Sequence, residues 1–232
     1  MKRSALLLCC LILGLGSAWA SIGSINPSDF QDPVNWCTNY GCTGAQFGSP
    51  QNWTSDGART GMVGLVSSQN FENRVQGSSW NGNFTTGMGL IYNGVSSLGN
   101  NPGGILLSFN SPVYGAGAYI QADWYGAFTG TVALYDSSFN LLGSYSHDGV
   151  SDGTAGTALF LGAYDAVPDV SYAVFDTSAD GYHDDDFAIG TLRIQTTGQV
   201  SVPEPGTLLL VGPSLLGLAG VLRRRMSRKE VL

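Results

Sequence analysis

Phe128-Thr129-Gly130-Thr131-Val132-Ala133-Leu134-Tyr135 runs straight into Asp136-Ser137-Ser138, and this stretch decides the fold. Val132 and Leu134 alternate with Thr131, Ala133 and Tyr135, a period of two, as in a strand whose successive side chains point to opposite faces. Asp136-Ser137-Ser138 then supplies turn chemistry, because short oxygen-bearing side chains bond nearby backbone amides. Moving outward, similar short apolar or alternating runs occupy 61–66, 86–92, 104–109, 113–122, 141–146, 157–162, 171–176 and 187–195. Asn100-Asn101-Pro102-Gly103 and Asp148-Gly149 punctuate them as turns. No run between residues 21 and 200 has the helical period of 3.6. The pattern predicts an all-β domain, an antiparallel β-sandwich or jelly roll.

Composition agrees. Gly is 33 of 232 residues, which suits the tight turns and bulges of a strand-dense domain. Charged residues are 12%, about half of ordinary usage. The net charge of −7 is unevenly spread. Residues 21–202 hold Arg59, Arg74 and Arg193 against fifteen acids, a net of −12, with no Lys between Lys2 and Lys229. Fourteen of those acids are Asp, which favours turns; Glu72 is the exception. So acidic a middle excludes nucleic acid as a partner.

The basic residues sit at the ends, beside the two longest apolar runs. Lys2 and Arg3 precede an apolar stretch from Ala5 to Leu15, and Ala18-Trp19-Ala20 places small residues at −3 and −1 of a cleavage site. Residues 1–20 read as a signal peptide, a signal helix cut after Ala20. Cys9 and Cys10 lie inside the apolar stretch, without the small residue a lipoprotein signal needs before Cys9. At the other end, Pro203-Glu204-Pro205 precedes seventeen uncharged residues, 206–222, and then Arg223-Arg224-Arg225. As a helix that span covers about 26 Å, slightly less than a bilayer core. The Arg cluster keeps residues 223–232 on the cytoplasmic side.

This three-part tail closely resembles the PEP-CTERM sorting signal of exported bacterial proteins, carried by Pro203, Glu204, Pro205, the apolar span and Arg223, Arg224 and Arg225. The resemblance implies an exosortase-type processing enzyme as partner and transient anchoring in the inner membrane. Release or transfer at the cell surface would follow, in a bacterium that makes exopolysaccharide or biofilm. It covers about thirty residues and gives an address rather than an activity. The stretch from Gly104 onward is similar to the jelly-roll ectodomains found ahead of such tails, which look like carbohydrate-binding modules. The matching pieces are 105–113, Val132-Ala133-Leu134-Tyr135-Asp136, 158–162 and 187–194. Those domains usually carry an Asp in the final strand where this chain has Gly190.

The expected organisation is therefore a signal peptide (1–20), an N-terminal extension with a cysteine loop (21–58) and a β-sandwich (59–198). A linker with the Pro-Glu-Pro motif (199–205), a transmembrane segment (206–222) and a basic tail (223–232) follow. Cys37 and Cys42, the cysteines left after signal removal, are expected to form a local disulfide.

Asp180-Gly181-Tyr182-His183-Asp184-Asp185-Asp186 is the densest acidic cluster. It reads either as a solvated loop or as oxygen ligands for calcium, with Asp180, Asp184 and Asp186 as the candidates and no other cofactor implied. Aromatic faces stack on pyranose rings while Asn and Asp bond sugar hydroxyls, which makes Trp80, Trp124 and Tyr125 candidate glycan contacts, set against an ordinary core role. Ser146-His147-Asp148 has the residue types of a hydrolytic triad, but three consecutive residues do not give its geometry. Phosphate-loop, zinc-protease and G-x-S-x-G patterns are missing. The expectation is an exported surface or matrix protein, structural or adhesive and polysaccharide-contacting, not an enzyme. A secreted glycan-active hydrolase is the rival reading.

Overall fold

Alternation along 128–135 becomes strand β10 (Gly126–Tyr135) of the computed structural model, which describes residues 22–67, 70–94, 103–178 and 186–198. Phe128, Val132 and Leu134 are buried, while Thr129, Thr131, Ala133 and Tyr135 are partly exposed. The other strands are β1 (Ile22–Ser24), β2 (Asp32–Val34), β3 (Gln46–Phe47), β4 (Gln51–Thr54), β5 (Thr60–Leu65), β6 (Phe71–Val75) and β7 (Gly89–Tyr92). After them come β8 (Ile105–Val113), β9 (Gly115–Ala122), β11 (Leu141–Ser151), β12 (Leu159–Tyr164), β13 (Val170–Ser178) and β14 (Phe187–Gln195). One short helix, α1 (Trp36–Tyr40), and a 3-10 turn at Pro27–Asp29 accompany them among the described residues.

The strands form two sheets, and every pairing between strands is antiparallel. One has the order β1-β12-β9-β14-β7-β6-β3, with β2 also on β14; the other has the order β11-β10-β13-β8-β5-β4. The protein is thus an all-β, two-sheet sandwich. Its main core includes Ile105, Leu107, Val132, Leu134 and Phe175 from the second sheet and Ala118, Ile120, Phe187, Ile189 and Leu192 from the first. Burying each large apolar side chain contributes roughly 1.5–3 kcal/mol.

The expected N-terminal extension, 21–58, is built into the sandwich through its described residues, 22–58. They supply β1 and β3 to the two edges of the eight-stranded sheet, β2 as a partner of β14 within it, β4 to the other sheet, and Trp36 and Trp53 to the core. Asp32, almost fully buried, ties this segment down: it accepts from Ser55 Oγ at 2.6 Å and from the Gly57 amide at 2.7 Å, with Arg59 3.9 Å away. No structural boundary falls at 58/59. These strands are only two to four residues long, too short for a period to emerge. Cys37 and Cys42 form the expected local disulfide, with Cys37 inside α1 and Cys42 just beyond its end. Asn35 caps that helix by accepting from the amides of Cys37 and Thr38.

The outer face of the eight-stranded sheet is also covered. Residues 76–88 fold back over it, burying Trp80 and Phe84 against Leu90, Tyr92 and Ala188. Phe30 does the same nearer the sheet edge, against Phe160 and Tyr164. Gly190 lies beneath this cover, where a Cβ would collide with Met88 Sδ and meet Phe84 at 3.2 Å, so a larger residue would displace the Met88 side chain.

The signal helix (1–20), the Pro-Glu-Pro linker, the 206–222 span and the basic tail lie outside the described residues. Among the described residues, no helix is long and apolar enough to cross a membrane.

Candidate functional site

Strand direction sorts the loops into two poles. At one pole β9 ends at Ala122, β10 begins at Gly126, β12 begins at Leu159, β13 ends at Ser178 and β14 begins at Phe187. There Trp124 and Tyr125 form the β9–β10 turn, 49% and 65% exposed. With Asn81 and Asp123 they line a shallow cleft of about 370 Å³. Tyr125 Oη lies 3.5 Å from the Asn81 carbonyl, to which it donates.

Behind the cleft, the Tyr92 hydroxyl donates to Asp123 Oδ2 at 3.1 Å and lies 3.4 Å from Asp186 Oδ2. The Asp123 amide donates to the Asp186 carbonyl at 2.9 Å, fixing the two acids side by side. Burial, then the charges of Asp123 and Asp186, push the Tyr92 phenol well above its ordinary range, so it stays a proton donor. The Arg74 guanidinium sits 3.8 Å from the centre of the Tyr92 ring and pairs with Glu72 at 3.1 Å.

A buried polar network anchors the covering loop. Asn83 Nδ2 donates to Asp152 Oδ1 (2.8 Å) and Thr157 Oγ1 (2.7 Å), while its Oδ1 accepts from the amides of Asp152 and Gly153. Its own amide donates to Gln121 Oε1 at 2.6 Å, and Gln121 Nε2 donates to Ser151 Oγ at 2.7 Å. Asn81 lies two residues before this anchor, next to Tyr125.

Of the expected glycan contacts, Trp124 and Tyr125 share the cleft and Trp80 does not. Trp80 is 5% exposed, and its indole nitrogen faces Gln121 Oε1 at 3.4 Å. It is core material beneath the cleft, because the loop that carries it closes over the sheet. Of the acidic cluster, Asp180 and Asp184 lie outside the described residues, whereas Asp186 meets Asp123, a partner sixty-three positions earlier that spacing does not reveal. Among the described residues, no group of three or more His, Cys, Asp or Glu side chains is placed to hold a metal. Ser146, His147 and Asp148 are consecutive on β11 and do not converge. Ser146 bonds Thr131, Asp148 bonds Thr129, and the His147 ring meets the Asp148 carbonyl.

The fold and its pole together define an antiparallel β-sandwich with an aromatic, carboxylate-edged surface cleft. Among solved structures, the chain is similar to the crystal structure of a DUF4465 family protein from Bacteroides caccae. The two share 14% identity over 71% of this chain and all of that one, with a TM-score of 0.38. No protein-family model matches the chain, and no curated protein matches it either.

Proposed function

We propose that this is an exported, PEP-CTERM-sorted protein of the cell surface or extracellular matrix, structural or adhesive, which contacts polysaccharide through the Trp124–Tyr125 cleft. The observation carrying the binding half is that pair of exposed aromatics on a short turn, flanked by the amide of Asn81 and the carboxylate of Asp123. Aromatic faces take the apolar side of a sugar ring, and the flanking groups bond its hydroxyls. The sorting half rests on the sequence alone: Ala18 and Ala20 at one end, and Pro203-Glu204-Pro205 with Arg223, Arg224 and Arg225 at the other.

Affinity electrophoresis against the producer's own exopolysaccharide tests the binding half. Retardation that Trp124→Ala and Tyr125→Ala each abolish supports it; unaltered retardation in both variants refutes it. Mass spectrometry of the native protein tests the sorting half, which expects termini near Ser21 and the Pro-Glu-Pro junction. An intact Leu232 terminus refutes processing. The hydrolase reading draws on Asp123 and Asp186 reaching one phenol beside the cleft. Release of reducing ends, lost in Asp123→Asn, would replace binding with turnover. Calorimetry with millimolar calcium covers the cofactor: heat that Asp186→Asn removes would place the cation there, and no heat would end the idea.

A further inference from the structure

The second pole carries an aromatic surface unrelated to the Trp124 cleft. Phe139, in the β10–β11 turn, has φ +63°, a left-handed conformation that Gly adopts freely and a bulky side chain rarely does. The turn holds it there by several bonds. Asp136 Oδ1 accepts from the amides of Ser138 and Asn140, each at 2.8 Å, and Asp136 Oδ2 accepts from Asn140 Nδ2 at 2.8 Å. The Phe139 amide donates to the Asp136 carbonyl at 3.1 Å.

This backbone lays the Phe139 ring against Tyr135, with centroids 4.6 Å apart and planes 18° from parallel, and leans it on Tyr172 at 5.1 Å. Tyr135 and Tyr172 are directly paired across β10 and β13. Phe139 nevertheless remains 49% exposed. A residue that only closed a hairpin would be better served by Gly at this position; strain retained at an exposed ring points to use of that ring.

The face continues from these rings along the strands. Small Ala133 and Val174 come next, then the Thr131–Ser146 hydroxyl pair beside Asp176, then Thr129 bonded to Asp148. None of the outward positions on β10, β11 and β13 named here is basic. Rings followed by hydroxyls and carboxylates, with no cation, suit a sugar polymer without acid groups and repel one that has them.

We propose that Phe139, Tyr135 and Tyr172 form a second glycan platform, which takes pyranose units of a neutral polysaccharide. It rests on the same reading of the protein as glycan-contacting, but it lies about 30 Å from the Trp124 cleft, the length of β10.

The test is affinity electrophoresis of the purified protein in gels containing a soluble neutral β-glucan, a neutral galactomannan or alginate, with every variant built on Trp124→Ala to silence the other pole. Phe139→Gly keeps the turn and relieves its backbone, so its melting temperature should hold while retention by a neutral polymer falls about tenfold. Phe139→Tyr should restore retention, and alginate should retard none of them. Unchanged retention in Phe139→Gly overturns the platform, as does absence of retention by both neutral polymers in the Trp124→Ala parent. If Phe139→Gly instead abolishes self-association in sedimentation, the ring docks a second copy of this chain and the proposal fails. The Trp124 reading is decided separately, by the producer's polymer, so the two can fail independently.

Discussion

The two sheets treat their outer faces differently. The eight-stranded sheet is roofed: β7 is buried at all four positions, between the core on one side and residues 76–88 on the other. The six-stranded sheet is open, and β10 alternates buried with partly exposed residues along most of its length. A sandwich can thus gain a third layer locally from a loop rather than from a helix. The roof buries its own Trp80 in the layer, whereas Trp124, on the neighbouring β9–β10 turn, is 49% exposed.

The largest predicted effect falls on the roof. Trp80→Ala removes an indole packed edge-on against Phe84 and Tyr92, and should cost about 3–5 kcal/mol in urea unfolding. A loss below about 1 kcal/mol would mean that the roof unfolds independently of the sheet beneath it. Asn83→Ala leaves the Asp152 and Gly153 amides without their acceptor, and should cost about 1–3 kcal/mol. It should also expose 76–88 to limited proteolysis, which a uniformly rigid roof would resist.

A smaller effect belongs to the open sheet. Asp169, just before β13, has a buried Oδ1 without a partner among the described residues, and desolvation followed by the Asp165 charge raises its pKa. A carboxyl whose pKa is higher folded than unfolded favours folding at low pH, and that contribution is lost as pH rises through the folded value. Asp169→Asn should therefore raise the melting temperature at neutral pH, with the gain vanishing below the unfolded value of about 3.9. A gain that persists at pH 3 would break this account. The smallest effect is on the exposed hydroxyl pair: Thr131→Ala should change stability by no more than about 0.5 kcal/mol in urea unfolding. A larger loss would show that the open face is structurally committed too.

Strands legible in sequence occur in both sheets, β10 in the open one and β14 in the roofed one. β10 and β14 follow from 128–135 and 187–195 because a half-exposed strand writes its period of two into the chain, and a buried one writes an unbroken apolar run. β3 and β4 are too short to write anything, and the polar Glu72, Asn73 and Arg74 disguise β6. Trp80 and Trp124 sit in similar Gly- and Asn-rich or turn-like surroundings, so local sequence cannot tell which one a returning loop will cover. The meeting of Asp123 with Asp186, through Tyr92, depends on three strands aligning at one pole. No local spacing encodes that.

β14 ends at Gln195 beside Gly115, while its neighbour β9 ends at the opposite pole, just before Trp124. A load applied between the chain leaving Gln195 and a polymer held at Trp124 would pull these adjacent strands from opposite ends. Their cross-strand bonds lie perpendicular to that pull and share it in shear, rather than opening one after another like a zipper. Resistance to forced unfolding is a matter of rate, and bonds loaded together in shear would give way more slowly than bonds opened singly from one end.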